Sequence, residues 1–394
     1  MTQPTIAIVG AGLSGLVCAR ILQRNGIPAT VYELDTSAAA RQQGGSLDIH
    51  FDTGQIALKE AGLYEEFLAN IHEGGEAIRV LDKNARVYVD QAESDGGNGR
   101  PEIDRKVLRA LFVDSLEPGT IAWGSKVVAV RQAGSGHELE FANGELVRAD
   151  LVIGADGAWS RVRSLLTEVK PEYSGITFTE IRLADATVKH PAARALVGEG
   201  SLFALSDNKY IGGHGGDEIA LGLGMRVPED WTTSSGIDWS DPAATRASLL
   251  REYADWDPSL TALIQEADDD MWPRAIYALP TGHRWEHRSG VTLIGDAAHL
   301  MSPFAGEGAN LAMIDGADLA RAIIENDDLD VALRAYEKTM FPRGAKSAKA
   351  SHASLNMMFT KGRPWRLIAF FQSMIVLGAV MKPFERLFAR RKAG

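Results

Sequence analysis

The chain has 394 residues, 45 % of them hydrophobic and 24 % charged, with a formal net charge of -11 at pH 7. That length accommodates two domains with sizeable cores, and the acidic balance argues against a broad nucleic-acid footprint. The single cysteine, Cys18, excludes an intrachain disulfide and a thiolate metal cluster and fits a reducing compartment. The start, MTQPTIAIVG, becomes a strand too early for a secretory signal. The expectation is a cytoplasmic protein that binds neither metal nor nucleic acid.

The first elements read strand, turn, helix, strand. IAIV is an apolar run suited to a buried parallel strand; LSGLVCARILQRNG repeats apolar residues at helical spacing and stops at Asn25-Gly26; ATVYE is a second strand. Between the first two lies GAGLSG, with Gly10, Gly12 and Gly15 in the GxGxxG spacing and Leu13 and Ser14 opening the helix. The first glycine permits a tight turn, the second lets the backbone approach a pyrophosphate, and the third lets helix and strand pack closely. Free N–H groups at the helix start attract the phosphates. Glu33 ends the second strand, where an acceptor reaches ribose hydroxyls; a carboxylate there disfavours a 2′-phosphate, leaving NAD or FAD.

Further on, EIDRKVLRALFVDSLE (102 to 117) predicts an amphipathic helix with the stripe Ile103, Val107, Leu108 and Leu111, which puts Arg105 and Arg109 one turn apart on another face. HELEFANGELVRADLVIG carries a hairpin turn at Asn143-Gly144. GADGAWSRVR (154 to 163) sets Asp156-Gly157 at a strand end with Arg161 and Arg163 beyond it, and an aspartate-capped turn explains part of this without function. From Tyr173 to Arg226, pieces such as ITFTEIRLADATV and EIALGLGMRV between glycine turns predict a β-rich domain inserted into the first. DWDPSLTALIQEAD reads as a helix. ALPTGHRWEHRSGVTLIG reads as strand-like and leads into GDAAHLMSPFAGEGANLAM (295 to 313), a strand end followed by small residues and two more glycines. Residues 307 to 325 and 328 to 360 read as helices. Near the end, LIAFFQSMIVLGAVM (367 to 381) precedes KPFERLFARRKAG. Fifteen residues fall short of the roughly 20 that span a bilayer, so a packed C-terminal helix is expected, with peripheral membrane contact as the alternative.

The three motifs, in this order and spacing, resemble the class A flavoprotein monooxygenases, the FAD-dependent aromatic hydroxylase family, over nearly the whole chain. The resemblance implies an α/β fold: a Rossmann-like FAD-binding domain of the glutathione-reductase-like, p-hydroxybenzoate-hydroxylase type, with an inserted β-rich substrate domain and a C-terminal bridging helix. The corresponding ranges are 1–72, 100–170 and 273–330 for the FAD domain, 73–99 and 171–272 for the substrate domain, and 331–394 for the C-terminal helices, with the pocket expected at the domain junction.

By the same resemblance the first motif holds the ADP half of FAD, Asp156-Gly157 lies near the pyrophosphate and is associated with NADPH, and Asp296 bonds the ribityl chain. Pro303 and the Ala305 to Gly308 backbone, with Gly306, Ala309 and Asn310, then follow the isoalloxazine edge, where small residues let N–H groups approach charge gathering on the reduced ring. Within the family the segments 31 to 50, 101 to 112 and 295 to 310 look most similar to those of the tetracycline-inactivating flavin monooxygenases. This adds Glu33, Arg41, Asp48 and Arg105 as FAD contacts or flavin-adjacent groups; Arg41 and Asp48 would also meet NADPH, and a surface salt bridge is the competing reading for Arg41 and Arg109. Tyr210, Gly222, Phe304 and Met358 would line the substrate pocket. The chain departs from that group at Leu34, in place of a basic residue, and at Glu199 and Ala220, near where an arginine and a histidine hold the tetracycline.

The implied reaction takes hydride from NADPH and oxygen from O2 and hydroxylates a polycyclic phenol or enol through a flavin 4a-hydroperoxide. The substrate would be a tetracycline or, as the alternative, another aromatic polyketide. The chemistry belongs to the cofactor, so no acid–base residue is named, and His50 and His299 read as packing histidines. A monomer is expected. Competing readings are an NAD-dependent dehydrogenase, which leaves the Gly-Asp loop unexplained; a flavin-dependent halogenase, whose WxWxI segment is absent; and a flavoprotein that sequesters a hydrophobic ligand.

Overall fold

A computed structural model describes residues 4–40, 45–71, 77–91 and 99–373. The chain divides into two compact units, one of Met1–Glu73, Gly96–Ser174 and Ile276–Ala353, the other of Gly74–Asp95, Gly175–Ala275 and Ser354–Gly394.

The first unit is built on a five-stranded sheet in the order Val291–Leu293, Leu151–Gly154, Ile6–Val9, Ala29–Tyr32, Ile121–Ala122, every pairing parallel. Its central strand, Ile6–Val9, is buried along its whole length. This is why it reads as a continuous apolar run rather than an alternation: a parallel sheet has both faces covered. The Leu13–Arg24 helix packs against the Gly308–Glu325 helix so closely that a Cβ on Gly316 would stand 2.4 Å from the Ser14 carbonyl oxygen. Cys18 lies in this contact, wholly buried, with its thiol pushed up to about 12 by burial, which makes it an inert packing residue.

The second unit carries a seven-stranded sheet in the order Trp272–Ala278, Glu172–Leu183, Ile219–Arg226, Lys209–His214, Ser201–Ser206, Ile78–Leu81, Val87–Gln91. One face, with Ile181, Leu183, Ile211, Leu221 and Leu223, is buried in a core completed by Leu249, Tyr253, Trp256 and Leu260. The helices Pro242–Glu252 and Pro258–Gln265 and the turn between them supply those residues, and each helix is started by an aspartate, Asp241 or Asp257, whose side chain accepts backbone N–H bonds of the first turn.

Three elements differ from expectation. The helix expected over 102 to 117 starts at Arg105, because Glu102–Asp104 pairs antiparallel with Ser46–Asp48; Ile103 is buried either way, so its apolar character does not reveal the switch. The stretch ADATV turns into the short helix Ala186–Lys189. Between Ala278 and Val291 the chain is irregular rather than a strand, and two of its side chains are anchored from afar: the Trp285 indole N–H donates to Glu337 at 3.1 Å and His287 Nδ1 lies 3.0 Å from the same carboxylate. The segment 367 to 381 is helical as far as the described residues go, to 373, and among the described residues no helix is long and apolar enough to cross a membrane.

Candidate active site

Parallel pairing brings the motifs together. Val9 is level with Gly154 on one side and Tyr32 on the other, and Gly154 is level with Leu293, so four adjacent strands end along one edge. Each runs straight into a motif: GAGLSG after Val9, Glu33 after Tyr32, Asp156-Gly157 after Gly154, and Gly295-Asp296 soon after Leu293. Ligands of open parallel sheets bind at the carboxyl ends of the strands.

The three glycines of the first motif do different work. Gly10 has φ +107° and a Cβ on it would stand 2.3 Å from the Ala155 carbonyl oxygen; a Cβ on Gly15 would stand 2.2 Å from the Gly10 carbonyl oxygen. Both are demanded by the protein's own backbone. Gly12 is not, since the nearest atom to its Cβ position is 4.0 Å away. The space beside Gly12 is therefore a cradle that a side chain would fill, next to the uncapped start of the Leu13–Arg24 helix, whose first turn holds no acidic residue. This is what a dinucleotide pyrophosphate requires. Glu33 is buried, with Oε2 accepting from Ala11 N–H at 2.6 Å and Oε1 from Asp35 N–H at 3.0 Å, which fixes the carboxylate against the turn. Arg109 makes no salt bridge among the described residues: it is buried, donates from Nε to the Ala11 carbonyl at 3.1 Å and from a terminal nitrogen to the Ala38 carbonyl at 3.2 Å, and lies over the Trp123 ring.

Arg163 joins the second and third motifs. The guanidinium, almost wholly buried, donates from Nε to the Ala297 carbonyl at 3.1 Å, and its terminal nitrogens donate to the Ala158 and Gly157 carbonyls. One side chain thus ties the Asp-Gly loop to the Gly-Asp loop. Asp156 closes the former by accepting from Arg161 N–H at 2.6 Å and Val162 N–H at 3.4 Å. Its other oxygen, Oδ1, is buried without a partner, and desolvation by burial pushes its carboxyl up. Asp296 is exposed, and desolvation by the protein around it pushes its carboxyl up against the opposing pull of His299, Arg105 and Arg163. An exposed carboxylate beyond the strand ends is placed to accept hydroxyl hydrogen bonds from a ligand.

Beneath this loop His299 bonds through Nε2 to Asp315, whose Oδ2 also accepts from Gly295 N–H at 3.0 Å and whose Oδ1 meets Arg343 at 2.9 Å. Burial lowers the His299 pKa, but the Asp315 charge and hydrogen bond outweigh it and the net direction is upward; burial raises Asp315, and His299 and Arg343 outweigh it downward. Both groups are therefore held charged.

The last stretch of the motif, Pro303–Ala305 and then Gly306 at φ +67°, leads into the Gly308–Glu325 helix, which has no side-chain cap. No atom lies within 4 Å of a Cβ on Gly308, and only Asp48 Oδ1, at 3.9 Å, approaches one on Gly306. Asn310 is 1 % exposed and its amide is engaged: Oδ1 accepts from His50 N–H at 2.9 Å and Nδ2 donates to the Asp48 carbonyl at 2.8 Å. That clamp holds Asp48, which also bonds His50 Nε2 at 2.8 Å, beside the loop. Leu13 and Ser14 are buried in the first helical turn, Ala309 and Phe304 are half-buried, and Arg41 lies outside the described residues. Sequence reasoning missed the Arg163 tie, the Asp315–Arg343 support and the Asn310 clamp, each of which joins residues far apart in the chain.

In the second unit, register places three rows on the sheet face opposite its core: Phe178, Gly224 and Tyr210; Glu180, Gly222 and Gly212; Arg182, Ala220 and His214. Directly opposite residues share a face. Tyr210 packs with Phe178, Phe203 and Phe359 at ring distances of 5.8, 6.3 and 6.4 Å, and burial pushes its phenol up. The glycines are needed: a Cβ on Gly212 would stand 2.6 Å from the Tyr210 oxygen, and one on Gly224 2.4 Å from Phe178. Met358 is buried at the end of the Leu329–Met358 helix. Among the described residues no cluster of His, Cys, Asp or Glu forms a metal site.

Two outcomes are expected. Gly12→Ala should melt within a few degrees of the wild type but bind FAD at least about tenfold more weakly, whereas Gly10→Ala should fold poorly, because only the first leaves the protein's own packing intact; flavin fluorescence titration with thermal melts separates them. The stabilisation from the raised His299 is complete below the ordinary histidine value of 6.5 and lost as pH rises through its folded pKa; that from the lowered Asp315 is complete above the ordinary value of 3.8 and lost as pH falls through its folded pKa. The advantage of wild type over Asp315→Asn, on the order of 3 to 5 kcal/mol, should therefore be widest between those two values in melts taken across pH.

A protein-family model described as FAD binding domain matches residues 3–346. The "Monooxygenase asqM" of Emericella nidulans is 30% identical over 429 residues, covering 90% of this chain and 96% of that protein. The 6-hydroxynicotinate 3-monooxygenase of Pseudomonas fluorescens is 27% identical, covering 92% and 94%. Among solved structures, Klebsiella pneumoniae HpxO complexed with FAD and uric acid has a TM-score of 0.77 at 21% identity, covering 94% of this chain and 92% of that one. Tetracycline destructase Tet(55) has 0.73 at 19%, covering 97% and 96%; at these identities both structures bear on the fold alone. The glycine cradle, the strand-end acids and the matched family agree: the chain belongs to the FAD-binding-domain family and is an FAD-dependent monooxygenase, an oxidoreductase.

Proposed function

We propose that this monooxygenase hydroxylates a planar, electron-rich polycyclic phenol or enol of the aromatic-polyketide type. The observation that carries this reading is the sheet face of the second unit: the Tyr210 and Phe178 rings cover the backbone at Gly212 and Gly224 and with Phe203 make an aromatic wall, and Glu180, Arg182 and His214 make a polar end. A flat ring matches such an aromatic wall, and ring hydroxyl or carbonyl groups find partners only at the polar end. The names of the compared proteins include a hydroxynicotinate, uric acid and tetracycline, all ring systems bearing oxygen. Tetracycline itself is the narrower reading. Glu199 is paired with Arg194, and Ala220 presents only a methyl between Arg182 and His214, so the polar hold is differently placed from that of the tetracycline-inactivating group.

FAD, when bound, supplies acceptance of hydride from NAD(P)H and activation of O2. The residues of the first unit do the rest of the positioning. The Leu13–Arg24 helix start and the space at Gly12 take the pyrophosphate, Glu33 accepts from the ribose and Asp296 from the ribityl hydroxyls. Arg105 balances Asp296. The Gly306 to Ala309 backbone, at the uncapped start of the Gly308–Glu325 helix, offers N–H groups and a positive dipole end to negative charge on the ring. Asp48 stands on the side expected to meet the nicotinamide. No side chain in this set is required to act as acid or base, because the oxygen transferred comes from O2.

Incubation of the FAD-loaded protein with NAD(P)H, O2 and a panel of anthraquinones, naphthols, hydroxypyridines and tetracyclines, read by mass spectrometry, tests the reading. At least one polycyclic phenol should gain one oxygen with matching NAD(P)H consumption. Tight binding across the panel with no oxygen gained would instead support ligand sequestration.

A further inference from the structure

Two buried imidazole nitrogens share one small recess in the first unit. Leu279, Leu300, Met340, Phe341 and Ala345 wall it, His283 and His299 are the polar side chains in that wall, and it has room for about one water molecule. His283 closes a tight turn by donating its N–H to the Pro280 carbonyl at 2.9 Å, and Leu279 N–H donates to the Leu300 carbonyl at 2.8 Å, which docks the turn on the end of the Gly-Asp loop. The His283 ring lies 6.0 Å from that of Trp285, which meets Phe341 edge-on at 4.8 Å. His299, 7 % exposed, commits Nε2 to Asp315 and sets its Cβ, Cγ and Cδ2 against the Leu329–Met358 helix at Gly344, where a Cβ would stand 3.2 Å from it. The edge left over carries Nδ1. Both His299 Nδ1 and His283 Nε2 are buried and meet no hydrogen-bond partner among the described residues. A buried polar atom left unpaired is costly, and two such atoms in the wall of one water-sized recess call for a shared partner.

We propose that the recess binds one water bridging His299 Nδ1 and His283 Nε2, and that the three form a proton path from the ion pair beneath the Gly-Asp loop to solvent. The charges around the two rings give the path its direction. Burial opposes the charge on His299, but Asp315, Asp296 and the residue's own carbonyl outweigh it, so Nδ1 carries a proton to donate. Burial and then Arg163 hold His283 neutral, so Nε2 is free to accept. From the helix side the recess meets only uncharged residues, Met340, Phe341, Gly344, Ala345 and Ala348, while Arg343 is bonded to Asp315 and Asp318. Loss of a proton from His299 then runs in three moves. The Nδ1–H bond breaks as its proton passes to the water oxygen; the water gives one of its own protons to His283 Nε2; the imidazolium so formed releases its Nδ1 proton to solvent. Uptake is the reverse, and the Nε2 proton of His299 stays with Asp315 throughout. Charge arising beside Asp296, which acts on His299, is thus answered by proton movement beneath the loop without opening it.

Two measurements on the full-length FAD-loaded protein test this. A high-resolution crystal structure should show one water oxygen about 2.7 to 3.2 Å from both nitrogens. Nuclear magnetic resonance of protein carrying nitrogen-15 histidine then follows exchange of the His299 Nδ1 proton with solvent. His283→Leu removes the acceptor, and Ala345→Leu fills the recess while leaving both rings in place. In each variant exchange should slow at least about tenfold, because it then waits on local opening, with flavin absorbance and circular dichroism unchanged. A recess without water, a halide in its place, which carries no proton, or exchange at the wild-type rate in either folded variant would overturn the proposal.

Discussion

A single buried guanidinium sets the geometry on which the site depends. Arg163 spans from the Asp-Gly loop to the Gly-Asp loop, donating to carbonyls on both. The Gly157 carbonyl also accepts from Ser160 N–H at 3.1 Å; a buried carbonyl left unpaired costs about 1 to 3 kcal/mol. Parallel pairing brings the strand ends to one level, but the loops beyond them are free to diverge; the Arg163 hydrogen bonds remove that freedom. The desolvated guanidinium is matched by nearby carboxylates, since Asp156 and Asp296 both act on it, so charge as well as hydrogen bonding favours the arrangement.

The second support lies under the same loop. Asp315 receives Gly295 N–H, His299 and Arg343, three contacts from two places in the chain, and those of Gly295 and His299 fix the backbone around Asp296. A comparable clamp at Asn310 holds the strand end at Asp48 to the start of the Gly308–Glu325 helix. The residues expected to face the cofactor are thus backed by polar groups engaged within the protein, although His299 Nδ1 and Arg343 Nε are buried without a partner. This is the condition for a preorganised site: the groups left over, Asp296, Asp156 Oδ1 and the N–H groups at two helix starts, are the ones a ligand would have to satisfy.

How much of this was legible in the sequence follows from the range of each interaction. The roles of Gly10, Gly12 and Gly15 are local, and the glycine spacing states them; the same holds for the Leu13–Arg24 and Gly308–Glu325 helices, whose apolar periodicity survives any tertiary context. Ile103 shows the limit, because an apolar residue before a helix is equally buried in a short strand, and only its pairing with Leu47 decides. Arg109 invited a surface reading since arginine is usually exposed, yet the Ala11 and Ala38 carbonyls draw it inward. The irregular 279–290 segment depends on Glu337, about fifty residues away. In the second unit, Tyr210 and Gly222 were named only through the family resemblance, and the rows that place Arg182 and His214 beside Ala220 require strand register, which spacing alone does not fix.

The first unit is a frame whose buried polar contacts hold three loops in position for FAD before FAD arrives. Titration of apo-protein with FAD, comparing wild type with Arg163→Met, tests it most directly. Weakening of at least about tenfold, with unchanged far-ultraviolet circular dichroism, is the result predicted. Equal affinity in a folded variant would contradict the account.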